Sequence, residues 1–122
     1  MEGGFFEGGI SALLGSPIFG YPIAEIGQPG GRTQRGMFDM LKAGFDAGYV
    51  IGVGTNGAGD DSVKNSCGIA ESHAYSVLAL FEMNVSGTNV PMVMIRNPWG
   101  SGTYTGPYNP SSISWRDGNL LK

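Results

Sequence analysis

Cysteine and histidine are almost missing from this chain of 122 residues, which holds one of each, Cys67 and His73. A single thiol closes no internal disulfide and builds no cysteine-rich zinc site, in keeping with a reducing compartment. Charge is scarce as well. Charged residues make up 14% of the chain, the formal net charge is -3, and the seven Lys and Arg are scattered. No basic stripe forms, so nucleic acid is not an expected partner. Long apolar runs are absent too, which excludes a helical membrane span. The opening Met1-Glu2-Gly3-Gly4 lacks the basic region and apolar core of a signal peptide. The expectation is a soluble intracellular, cytoplasmic protein, in which the Asn84-Val85-Ser86 sequon carries little weight.

Glycine, by contrast, is abundant. There are 22 glycines, without a collagen-like period, beside 41% hydrophobic and 11% aromatic residues. That is enough apolar surface to offset chain entropy, so the composition implies a loop-rich globular fold rather than disorder. At this length one domain, spanning 1–122, is expected.

Along the chain, Ile10-Ser11-Ala12-Leu13-Leu14 predicts a short helix stopped by Gly15 and Pro17, with extended chain following through Ile18 to Ile26. From Thr33 to Ala47, Met37, Leu41 and Phe45 recur at steps of four, Thr33 suits an N-cap and Gly48 suits a terminator. Tyr49 to Val53 predicts a short buried strand, and Gly54 to Gly68 a polar loop. Residues 73–83 and 90–96 carry the β signal, joined by a hairpin connection of moderate length over Asn84 to Asn89. Tyr75, Val77, Ala79 and Phe81 alternate weakly with Ala74, Ser76, Leu78 and Leu80, as if both faces were covered. Pro91 requires a strand end or an edge. The fold class is α+β: an antiparallel β-sheet with one longer helix and many loops.

Several features invite a chemical role. Gly52-Val53-Gly54-Thr55-Asn56-Gly57 has the GxGxxG spacing, but no helix opens at the glycines, so nothing aims free N–H groups at a phosphate. Asp60 and Asp61 lack spaced further oxygen ligands and fit a solvated acidic turn. Cys67 precedes no helix, which leaves it without the usual means of lowering a thiol pKa. His73 opens a strand straight after a flexible loop, a position suited to a general base at a cleft rim. The hairpin returns Asn97 to its side. An amide oxygen there, accepting from Nδ1–H, would fix the imidazole tautomer and leave Nε2 facing a thiol, as in a Cys-His-Asn arrangement. Trp99 is placed to cover that bond from water.

Ser72-His73-Ala74-Tyr75-Ser76-Val77, followed by Ile95-Arg96-Asn97-Pro98-Trp99-Gly100, resembles the paired histidine and asparagine motifs of calpain cysteine proteases. The likeness extends from Gly3-Gly4 through Leu14-Gly15-Ser16-Pro17 to Met40-Leu41 and Tyr49-Val50-Ile51. It implies the C-terminal, His- and Asn-bearing half of a papain-like core: His73 as general base and acid, Asn97 as its orienter, Trp99 between the two subdomains. The implied activity is that of a calcium-dependent cysteine endopeptidase in intracellular proteolysis, acting on protein and peptide substrates. The implied partner is the Cys-bearing subdomain, whose Gln-Gly-x-x-Gly-x-Cys-Trp stretch does not occur in these residues, so this chain alone is expected to be inactive. An alternative is a non-proteolytic, calpain-derived interaction or regulatory module.

The departures are specific. Ser72 stands where the family usually has glycine. Thr103 and Pro110 stand at positions resembling acidic calcium ligands, so the Ca2+ implied for the family has no carboxylate from them. Tyr104 and Tyr108 occupy places commonly held by tryptophan.

Overall fold

Gly15, with φ of 63°, ends the first helix, α1 (Phe6–Leu14), and its N–H still donates to Ser11 O at 2.9 Å. The coordinates are a computed structural model that describes residues 6–57, 60–102, 104–112 and 115. Thr103 and the opening Met1 to Gly4 lie outside these residues. The chain divides into two units, Met1–Met37 and Phe38–Lys122.

In the first unit the segment after α1 is not extended throughout. Pro22 caps a turn of 3₁₀ helix at Ile23–Glu25, and Gly27 N–H donates to Arg32 O at 2.9 Å. The glycines explain this. Gly27 and Gly30 both have φ of 79°, and a side chain on Gly31 would run into the carbonyl of Glu25, so the chain folds tightly back on itself here.

Helix α2 (Gln34–Asp46) runs through the division between the units. Thr33 caps it as its sequence position predicts, its Oγ1 accepting from Gly36 N–H at 3.0 Å. At the other end Gly48 (φ 86°) donates to Phe45 O and Tyr49 donates to Gly44 O, the paired bonds of a Schellman termination. That termination displaces the expected strand. Tyr49 and Val50 are 71% and 72% exposed rather than buried, and β1 begins only at Gly52, as Gly52–Gly54.

In the second unit a three-stranded antiparallel sheet has the order β1-β2-β3, with β2 (Ala74–Val85) central and β3 (Thr88–Arg96) paired to it. The hairpin is tighter than expected. Val85 pairs with Thr88, leaving a loop of Ser86 and Gly87 at φ of 50° and 86°, the two positive angles of a type I′ turn. Asn84 supports it by accepting from Gly87 N–H at 3.0 Å and donating to Asn89 Oδ1 at 3.0 Å. Pro91 sits within β3 opposite Glu82, tolerated because β3 is an edge. In β2, Tyr75 is buried and Val77, Ala79 and Phe81 half-buried. Leu80 is buried as well, whereas Leu78 is 48% exposed, so the apolar residues of the strand are covered only in part. Among the described residues of this unit, Phe38 and Ala70 are buried as well.

Leu78 is also where the ladder changes register, between Val77↔Ile95 and Ala79↔Met94. A β-bulge of this kind inserts one residue and exchanges the two faces of the strand.

Candidate active site

His73 directly precedes the central strand and is held from both directions. Thr55, just past β1, donates its N–H to His73 O at 2.9 Å, and its Oγ1 accepts from His73 N–H at 3.1 Å. The same hydroxyl lies 2.7 Å from Ala70 O and 3.2 Å from His73 O, acceptors for its single proton. Tyr75, two residues on, accepts from Ala70 N–H at 2.9 Å through its buried hydroxyl, and its ring meets the imidazole edge-on with centroids 4.9 Å apart. Of the glycines in the GxGxxG segment, Gly57 has a steric purpose. Gly52 and Gly54 lie in β1 against Ser76 and Ala74, and a Cβ on Gly57 would collide with that of Glu71.

Across the hairpin, Asn97 follows the last paired residue of β3. Its Oδ1 lies 3.0 Å from His73 Nε2 and accepts from Trp99 N–H at 3.0 Å. The structure therefore brings the two residues into hydrogen-bond distance, but through the other ring nitrogen from the one expected. Asn97 faces Nε2, not Nδ1. The physical reason is reach: Nε2 is at the tip of the ring and spans the gap to the neighbouring strand, whereas Nδ1 lies nearer its own backbone. Because Oδ1 accepts, Nε2 carries the proton, and Nδ1 is the nitrogen left to meet a reacting group.

Trp99 lies over the imidazole, ring centroids 4.2 Å apart and planes tilted by 40°, while remaining 46% exposed. The imidazole itself is only 8% exposed. One indole face thus shields the His73–Asn97 bond and an apolar surface remains open to solvent.

Ser72 has φ of 45°, in the left-handed region that a side chain disfavours. A glycine would adopt this conformation without strain. Ser72→Gly is expected to raise unfolding stability by about 0.5–1 kcal/mol, the relief of the left-handed strain less the extra chain entropy of glycine, measured by urea denaturation.

The two acids of the 60–63 turn diverge. Asp60 builds the turn, its carboxylate accepting from Ser62 N–H at 2.9 Å and from the Ser62 hydroxyl, while Val63 N–H donates to Asp60 O. These bonds, the hydroxyl's first, hold the Asp60 carboxyl below its usual pKa of 3.8. A lowered folded-state pKa contributes stability above the ordinary value, and this is lost as pH falls through the folded one. Asp61 is not merely solvated: its carboxylate stands 3.6 Å from His73 Nδ1. Cys67, half-buried, is held through its backbone, donating to Asn65 Oδ1 and accepting from Thr105 N–H. Thr55, Asp61 and the Tyr75 hydroxyl escape a reading of the sequence, since nothing in their spacing marks them.

The profile of the calpain family cysteine proteases matches residues 2–119. The chain belongs to the calpain family. It is 32% identical to mouse (Mus musculus) calpain-9 over 85 residues, which cover 68% of this chain and 12% of that protein. With human (Homo sapiens) calpain-9 it shares 28% identity over 110 residues, 88% of this chain and 16% of the other. A calpain-type cysteine protease of rice (Oryza sativa subsp. japonica), ADL1, is 30% identical over 122 residues, 96% of this chain and 5% of the relative. The chain thus spans less than a fifth of the length of these calpains. Among the described residues, the three-stranded antiparallel sheet and two α-helices are compatible with part of a calpain protease core. Among the described residues no helix is long and apolar enough to cross a membrane.

Proposed function

We propose that this chain is the His- and Asn-bearing, papain-like half of a calpain-type cysteine endopeptidase, completed by a Cys-bearing subdomain of the same parent protein. The observation that carries the proposal is the 3.0 Å contact between His73 Nε2 and Asn97 Oδ1 under the indole of Trp99. In this scheme Nδ1 accepts the proton of the incoming thiol and the thiolate attacks the scissile carbonyl carbon, forming the S–C bond. His73 returns the proton to the leaving amine as the C–N bond breaks, then activates the water that releases the acyl group. Asn97 holds the ring so that Nδ1 stays turned toward the incoming thiol throughout. Protein and peptide substrates would lie between the two halves.

The family resemblance implies calcium for the parent protein. Among the described residues no three His, Cys, Asp or Glu side chains cluster to hold a metal ion, and Pro110 has no carboxylate to give. No step of the scheme runs through calcium in this half.

The isolated 122 residues are expected to show no peptidase activity, because their one thiol, Cys67, lacks the family's glutamine–cysteine setting. Adding the Cys-bearing subdomain, fused or in trans, is expected to produce turnover of a fluorogenic peptide. Turnover by the isolated chain that disappears in Cys67→Ala would refute this division of labour. A parent chain without the Gln-Gly-x-x-Gly-x-Cys-Trp stretch would favour the non-proteolytic interaction module.

A further inference from the structure

Under the proposed scheme, Nδ1 of His73 must face the sulfur of a thiol, yet in this chain that nitrogen faces Asp61 Oδ2 at 3.6 Å. The side chains around the ring are Asn97 at Nε2, Asp61 at Nδ1, Tyr75 at its edge and Trp99 across its face. Both nitrogens thus look at oxygen acceptors. An orienting amide stands on one side of the ring and an anion on the other, a carboxylate where the scheme would place a thiolate.

The placement of Asp61 is built into the fold. Asp60 spends its carboxylate on Ser62, closing the turn and presenting Asp61 at its tip. The turn is tied to the residues leading into His73, since Glu71 N–H donates to Val63 O at 2.8 Å and Lys64 bridges Ala70. The contact itself is loose. At 3.6 Å it is an ion-pair separation rather than a hydrogen bond, and the Asp61 side chain is 50% exposed, so solvent screens it and little holds it in place. A carboxylate and a thiolate repel one another, so each disfavours the other on the Nδ1 side of the ring.

We propose that Asp61 is a displaceable stand-in for the thiolate, an autoinhibitory contact that keeps His73 Nδ1 engaged until the nucleophilic half docks. The inference rests on the thiol-protease reading above. It makes Asp61 a positioning residue, acting through His73 and not on substrate.

Two measurements separate it from that reading. In the 122-residue chain, ring ¹⁵N resonances of His73 at about pH 6.5, where an ordinary histidine is half-charged, report which nitrogens carry protons. Asp61→Asn is expected to move the Nδ1 resonance toward its lone-pair position and leave Nε2 in place, whereas Asp61→Glu restores the wild-type pattern. In the parent protein carrying both halves, Asp61→Asn is expected to raise the rate of thiol alkylation and kcat/KM about two- to five-fold, the range of a screened ion pair. An unmoved Nδ1 resonance, or an unchanged or lowered parent rate, overturns the proposal. If Nδ1 moves but neither parent turns over peptide nor holds a reactive thiol, the protease reading fails, and Asp61 is then a structural pair only.

Discussion

Replacing His73 with alanine in the two-subdomain parent is expected to lower kcat/KM for a peptide substrate by about 10⁴- to 10⁶-fold, with no change in folding midpoint large enough to account for it. The imidazole is asked to do two things, take the thiol proton and return it to the leaving amine. General acid–base transfer and activation of the nucleophile together are worth this order in hydrolases that work as a unit. Nothing else beside the site is built to replace it. His73 is the chain's one histidine, and the nearby carboxylate, Asp61, pairs with the ring. Stopped-flow measurement of acyl-enzyme formation checks this directly. A loss below about tenfold would place the proton transfer elsewhere.

Asn97→Ala is expected to cost about 10²-fold in kcat with KM unchanged, a smaller loss because Asn97 acts only on the orientation and tautomer of the ring. Its Oδ1 accepts from both His73 Nε2 and Trp99 N–H, so the substitution frees the imidazole and also loosens the indole covering it. The two residues should be strongly non-additive. A His73→Ala, Asn97→Ala double variant is expected to be no slower than His73→Ala, since an orienter has nothing left to orient. Equal and additive losses would show that Asn97 works by another route.

Much of this was legible locally. Thr33 and Gly48 mark the ends of α2 because an N-cap hydroxyl and a left-handed C′ residue are short-range requirements met by particular residue types. The β-branched and aromatic content of residues 73–83 and 90–96 marks the hairpin, and Pro91 marks its edge. The strand expected at Tyr49 was misplaced because its apolar side chains carry the same signal whether buried or exposed. Only the Schellman bonds of Gly48 and Tyr49 consume the start of that segment. The choice of imidazole nitrogen was equally beyond reach, since it depends on how far a ring tip extends across a strand pair. The partnership of Asp61 with His73 depends on a turn folding back over twelve residues of sequence.

By itself the sequence determined the chemistry available: one imidazole, one amide at the return end of a hairpin, one indole beside them, and no glutamine–cysteine stretch to complete them. Tertiary structure decided whether those groups meet, and it did so at Leu78. From Val85↔Thr88 to Ala79↔Met94, odd residues of β2 face even residues of β3, whereas at Val77↔Ile95 and Ser76↔Arg96 like faces like. His73 and Asn97 are both odd, so continuing the hairpin's initial register would set them on opposite faces of the sheet. The bulge slips the ladder by one residue and puts them on the same face, 3.0 Å apart. No residue type announces that slip, because it arises from pairing between strands rather than from the preference of either one.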